Sequence, residues 1–367
     1  MIKRILYTLL IMFPVLASAQ INTDRVMAIG RNALYFEDYV LSIQYFNQVI
    51  NAKPYLSDPY FYRGLAKINL DDFQGAESDC SEAIERNPFV VSAYQVRGLA
   101  RIQQNNFAGA IEDYTKALEF DPENIGVWHN MALCRIRQED YKGAKNDLDK
   151  LIAISPRYTK AYLMRGEVDL KQKDTLAAEK DFGKAIEIDR YDADTWASRA
   201  ILRLQQQRYK DAEADFDHAI RLSTRNSGVY INRALARYHQ NNLRGAMSDY
   251  DIALDIDPNN FIGHYNRGLL RAQVGDDNRA IQDFNFVIEM EPDNMMAIFN
   301  RGLLLDQTGD YKGAIKDYST VINEYPNFLL GYQYRAQARR KIGDVKGADA
   351  DEFKVLKAQL DKRSEER

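Results

Sequence analysis

Small, aromatic and polar residues return along this chain at a fixed interval of 34 positions. Prolines set the phase. Pro54, Pro88, Pro122 and Pro156 are 34 apart, and Pro258, Pro292 and Pro326 continue the count, with Arg190 and Thr224 on the two missing beats. Take this proline as position 32 of a repeat. Position 8 is then Gly30, Gly64, Gly98, Ala132, Gly166, Ala200, Ala234, Gly268, Gly302 and Ala336. Position 20 is Ser42, followed by Ala76, Ala110, Ala144, Ala178, Ala212, Ala246, Ala280, Ala314 and Ala348. Aliphatic residues occupy position 27 or 28, as in Ala83-Ile84 and Ala253-Leu254. Apolar positions within each half of the repeat keep helical spacing. The pattern predicts a helical hairpin with one small residue per helix where the two cross, and a larger side chain there would overpack the crossing. Asn105-Asn106, Gly275-Asp276, Gly309-Asp310 and Gly343-Asp344 mark the turn inside the hairpin, and the proline stops the second helix.

Aromatic residues add a second layer. Position 24 holds Phe46, Tyr114, Phe182, Phe216, Tyr250, Phe284 and Tyr318, and position 4 holds Tyr60, Tyr94, Trp128, Tyr162, Trp196, Tyr230 and Tyr332. This arrangement closely resembles the tetratricopeptide repeat family, whose unit is a helix–turn–helix of the same length with the same small, aromatic and proline positions. The resemblance implies an all-α fold, a right-handed superhelical α-solenoid of about ten repeats starting near 23, 57, 91, 125, 159, 193, 227, 261, 295 and 329. It covers roughly residues 23–362, so residues 20–362 are expected to form a single solenoid, with 363–367 as a polar tail. The end repeats depart from the pattern: Ser42 and Tyr45 in the first, Glu352 and the strongly charged ADADEFKVLKAQLDKR in the last. Atypical ends are expected where one face has no neighbour to cover it.

Charged residues follow the same beat. Position 7 is Arg63, Arg97, Arg165, Arg199, Arg233, Arg267, Arg301 and Arg335, and position 23 is Asp from Asp79 through Asp351. The fourth repeat keeps Asp147 but has Met131 in place of the arginine. Recurrence in nearly every repeat argues for structural ion pairs, since a planar guanidinium suits a fixed carboxylate. A cation beside each aspartate would lower its pKa and unfit it for proton transfer.

Length and composition fit this picture. At 367 residues a compact architecture would need two or three domains, but the repeat runs on without a linker. MIKRILYTLLIMFPVLASAQ has Lys3 and Arg4, an apolar stretch from Ile5 to Leu16, then Ala17-Ser18-Ala19, the pattern of a signal peptide cleaved after residue 19. Its removal takes the formal net charge from −4 to −6. Such a chain is expected in the periplasm or outside the cell, with no transmembrane anchor after cleavage. Cys80 and Cys134 stand a whole repeat apart, beyond the ~7 Å Cα limit for a disulfide, and read as buried thiols. The weakly acidic balance lacks the basic footprint of nucleic-acid binding. No metal, phosphate-loop or nucleophile motif occurs, and His129, His218, His239 and His264 fall at four different repeat positions. No enzyme, cofactor or small-molecule substrate is expected.

Position 6 carries the candidate chemistry: Asn130, then Met164 and Ser198, then Asn232, Asn266 and Asn300. The family resemblance implies that this position lines the concave groove. An amide offers both a donor and an acceptor, so a row of them could hold the backbone of an extended peptide. Ile231, Tyr265 and Phe299 at position 5 and Ile262 and Met296 at position 2 would add apolar contact, with Tyr238, His239, Gln273 and Gln307 further along the same helices. Two readings stay open: a peptide-binding ladder, and asparagine as an ordinary groove residue. The expected function is a protein–protein interaction scaffold, with envelope assembly or secretion as the setting that analogy suggests. The alternative is a structural spacer or accessory subunit that uses its convex face and ends.

Overall fold

The computed structural model describes residues 22–223 and 225–365, and among these every regular element is an α-helix. The expected leader, residues 1–19, lies outside the described residues. No helix among the described residues is long and apolar enough to cross a membrane. The chain divides after Asp174 into two compact units. The first holds α1 (Thr23–Tyr35), α2 (Tyr39–Ala52), α3 (Asp58–Ile68), α4 (Phe73–Arg86), α5 (Val91–Gln103), α6 (Phe107–Phe120), α7 (Ile125–Arg137), α8 (Tyr141–Ile154) and α9 (Thr159–Lys171). The second holds α10 (Thr175–Ile188), α11 (Ala193–Gln205), α12 (Tyr209–Leu222), α13 (Ser227–His239), α14 (Leu243–Ile256), α15 (Phe261–Gln273), α16 (Asp277–Met290), α17 (Met295–Gln307), α18 (Tyr311–Glu324), α19 (Leu329–Lys341) and α20 (Val345–Glu365). Within each unit successive helices pack on one another, giving the α-solenoid. The repeats share no central core. Their buried side chains form local clusters, such as that around Tyr94, Tyr114 and Met131. The expected tail is partly helix, since α20 runs on to Glu365.

Position 8 meets position 24 of the same repeat. A Cβ added at Gly98 would lie 2.7 Å from the Tyr114 ring, and one at Gly302 would lie 2.9 Å from Tyr318. The aromatic therefore fills the space that a larger residue would need. The position-4 aromatic ties the hairpin to the preceding connection. Tyr60 donates to the Pro54 carbonyl at 3.2 Å, Tyr162 to Pro156 at 3.1 Å and Trp128 to Pro122 at 2.8 Å. His264 takes the same place, its Nε2 3.0 Å from the Pro258 carbonyl, so it is an architectural residue here.

The turn inside each hairpin has one conformation throughout. Position 15 is left-handed in every repeat: Glu37, Asp71, Asn105, Glu139, Lys173, Gln207 and Asn241 have φ between 59° and 65°, and Gly275, Gly309 and Gly343 between 82° and 92°. The next amide reaches back five residues, as from Asn106 to the Arg101 carbonyl at 2.8 Å, closing the first helix in a Schellman turn. Position 16 then caps the second helix, as where Asp140 accepts from the Gly143 amide at 3.0 Å. A side chain at the left-handed position costs about 1–2 kcal/mol relative to glycine. Glycine loses more freedom on folding, which offsets part of the gain. Gln207→Gly is therefore expected to raise stability by about 0.5–1 kcal/mol, read as a higher urea midpoint. An unchanged or lower midpoint would show that the strain is relieved in some other way.

The arginine–aspartate pairs are made within each repeat. Arg233 donates from Nε and Nη2 to Asp249 at 2.9 and 2.6 Å, and Arg63, Arg199, Arg267, Arg301 and Arg335 fork onto Asp79, Asp215, Asp283, Asp317 and Asp351 in the same way. A second cation at position 11 joins them: Arg101, Arg203, Arg237, Arg271 and Arg339 each donate to the same aspartate. The position-7 arginine also reaches position 25 of the preceding repeat, as Arg97 to Ser81 at 3.1 Å and Arg267 to Asp251 at 2.8 Å. Arg63, Arg97, Arg233, Arg267, Arg301 and Arg335 thus each link two repeats, whereas Arg199 faces Gly183, which has no side chain to accept. Burial works against the Arg233 charge, but bonds to Asp249 and Asp217 outweigh it and raise its pKa above the ordinary value.

Candidate functional site

Asn232, Asn266 and Asn300 project from α13, α15 and α17 and are half-buried. The three do not behave alike. Asn300 donates to the Tyr265 hydroxyl at 3.2 Å, so its amide is partly committed inside the protein. Burial pushes the Tyr265 hydroxyl up, against the Asn300 amide, which favours its ionised form. In the first unit Asn130, on α7, stands beside the buried Tyr114 hydroxyl, which makes no hydrogen bond of normal geometry; burial raises that phenol well above its usual range. Of the expected amide row, Asn232 and Asn266 remain as neighbours on adjacent repeats.

The apolar candidates separate into two sets. Ile231 is buried: it lies under α15, where a Cβ on Gly263 would meet it at 3.4 Å. Phe299 is also buried, edge-on to Phe328 and Tyr334 with centroids 5.1 and 5.8 Å apart. Both therefore serve the packing between repeats and present little surface to a ligand, contrary to the groove expectation. Ile262 and Met296 are 50% and 60% exposed. They line, with Phe261, Tyr265 and Asn294, a shallow depression of about 270 Å³ between α15 and α17. Position 2 of the next repeat is Leu330, also exposed, which extends the apolar row along the unit. Sequence reading missed Phe261 and Leu330, although an apolar residue at positions 1 and 2 of three successive repeats was the available signal.

The remaining candidates flank this surface. Gln273 and Gln307 are exposed near the ends of α15 and α17. His239 is exposed but stacks on Tyr209 at 4.6 Å, with Tyr238 edge-on at 5.5 Å. Cys80 and Cys134 are free, buried thiols as expected, pushed by burial to about 12 and about 11. Asp147 departs from the expected lowering. Burial dominates over Arg135 and raises its carboxyl to about 7. One of its oxygens is buried without a partner.

Sequence models of tetratricopeptide repeat families match residues 98–134, 125–158, 159–192, 198–261 and 265–327. Among solved structures, a tetratricopeptide repeat protein from Parabacteroides merdae is 21% identical, with a TM-score of 0.52 over 68% of this chain and 98% of that one. The C-terminal part of a repeat-containing protein from Cytophaga hutchinsonii is 17% identical, with a TM-score of 0.54 over 66% of this chain and 98% of that one. PilF of Pseudomonas aeruginosa is 19% identical, with a TM-score of 0.50 over 59% of this chain and 97% of that one. At these identities the likeness is one of fold. No curated protein matches the chain.

Proposed function

The chain belongs to the tetratricopeptide repeat superfamily, and from that premise we propose that it binds a protein segment along the first helices of its second unit, between α13 and α19. Proteins of this superfamily are generally interaction scaffolds, and the fold is typically non-enzymatic. The observation that carries the specific reading is the exposed apolar row Phe261, Ile262, Met296 and Leu330 beside the Asn232 and Asn266 amides. Exposed apolar surface rimmed by polar groups is the usual mark of a partner site. The two amides would take the backbone of an extended segment. The apolar row would take aliphatic or aromatic side chains of that segment. Export by the N-terminal leader, and action in the periplasm or outside the cell, are part of the same proposal.

Photo-crosslinking tests it. A benzoylphenylalanine at position 296 is expected to give one discrete adduct in the native host, lost when Ile262→Asp is added. The control is the same probe at Gln282, exposed on α16. Equal adducts from both positions, or none from 296, would overturn the groove reading and favour the spacer alternative.

A further inference from the structure

Both ends of the array depart from the polar pairing that most interior repeats make at positions 7 and 25. In most interior repeats the first helix turns position 7, and in several positions 11 and 14, toward the second helix of the repeat before. Arg63, Arg233 and Arg301 at position 7 donate to Asn47, Asp217 and Asn285 at position 25. Arg101 and Arg237 at position 11 donate to Glu77 and Glu213 at position 21. Gln104 and Gln240 at position 14 donate to the same glutamates. The interface between neighbouring repeats is thus edged with polar pairs.

On α1 the same three positions are Ile29, Ala33 and Phe36. No described repeat precedes them. On α20, position 25 is Phe353, the one repeat where this position is aromatic, and it is 66% exposed. Position 28 behaves alike. Ile322, covered by α19, is 2% exposed, whereas Leu356 on α20 is 53% exposed. Leu360 extends the stripe one turn further and is also exposed. The last repeat is atypical, as expected for an end with no neighbour on one face. Glu352, and Asp349 at the near end of this stripe, are both taken up by Arg340. Solenoid ends usually carry a polar outer face for solubility.

The departures match each other. Where the interior pairs an arginine with a polar acceptor, α1 offers Ile29 and α20 offers Phe353. Position 14 is apolar in other repeats too, as Leu70, Val274 and Ile342, and the head's exposed Phe36 holds the register position that would meet exposed Val345 on the tail. Position 11 of the head is Ala33, which brings no charge to face Asp349, already held by Arg340. We propose that α1 of one copy stacks on α20 of a second copy, continuing the repeat interface from one molecule into the next with an apolar pair in place of the ionic one. The contact joins two different surfaces and is therefore heterologous, each copy carrying one head and one tail.

Sedimentation across a concentration series tests this, on the whole chain with and without residues 1–19. The average mass is expected to climb with concentration. Ile29→Glu and Phe353→Glu alter exposed side chains, and circular dichroism should show both folded. Each alone is expected to be monomeric. Mixed together they should form a dimer and nothing larger, because one variant keeps its tail and the other its head. A wild-type chain that stays monomeric in both forms would overturn the proposal. So would an Ile29→Glu variant that still self-associates, which would indicate tail-to-tail pairing, or a mixture that stays monomeric.

Discussion

Asp249→Ala is expected to cost about 3–5 kcal/mol, the loss typical of removing one partner from a buried ion pair. The carboxylate is buried and accepts from Arg233 at 2.9 and 2.6 Å and from Arg237 at 2.8 Å. Without it, two guanidinium groups lose their buried counter-charge. Arg233 keeps Asp217 at 2.7 Å and Arg237 keeps Glu213 at 2.7 Å, so neither is abandoned, but both partners are more exposed than Asp249. The comparison is Lys116→Ala. Its pair with Glu119 is exposed on both sides, where solvent and salt screen it, so its loss should leave stability nearly unchanged. Urea unfolding followed by circular dichroism would separate the two. Equal losses would mean that the recurring pairs are ornamental, and that packing alone holds the hairpins.

Asp147→Asn is expected to act in the opposite direction, and only above acidic pH. Asp147 accepts from Arg135 at 3.0 Å, but Met131 stands where other repeats supply the forked arginine, and its second oxygen is buried without a partner. Burial, only partly countered by Arg135, raises its pKa to about 7. An unfolded aspartate titrates near 3.9. The folded state therefore holds the proton more tightly. Its stability falls as pH rises from about 4 to about 7, and the full penalty persists above that. After allowance for screening by water, the cost is roughly 1–3 kcal/mol. The Asp147→Asn variant would match the wild type at pH 4 and exceed it at pH 8. A gap that does not change with pH would show that the carboxylate finds a compensating partner.

The helices, their pairing and the arginine–aspartate forks were legible because the same residue types recur in nearly every repeat. What the sequence hid was constant in geometry and varied in identity. Position 15 is left-handed throughout, yet Glu37, Lys173 and Gln207 announce nothing of it; only the glycines and asparagines do. Position 25 accepts from the next arginine as Asn47, Ser81, Asp217 or Asn285, so no single residue type marks the role. The arginines at position 11 were visible and were passed over, because position 7 already explained the aspartates. At the candidate site, Ile231 and Phe299 share position 5 with the half-buried Tyr265, but the local neighbours decide their fate. Gly263 lets α15 approach Ile231, and Phe328 with Tyr334 encloses Phe299.

One pair runs backwards. Where Glu77, Glu179 and Glu213 at position 21 meet an arginine at position 11 of the following repeat, Lys145 on α8 meets Asp169 on α9. The inversion makes the order of modules matter. A chain assembled by shuffling its own repeats could exchange the third with the seventh at little electrostatic cost at this position. Moving the sixth repeat to follow the fourth would set Arg203 against Lys145, and moving the fifth to follow the second would set Asp169 against Glu77. The seam between the fourth and fifth repeats thus works as a keyed joint. It marks a place where gene duplication or designed recombination must carry both halves together.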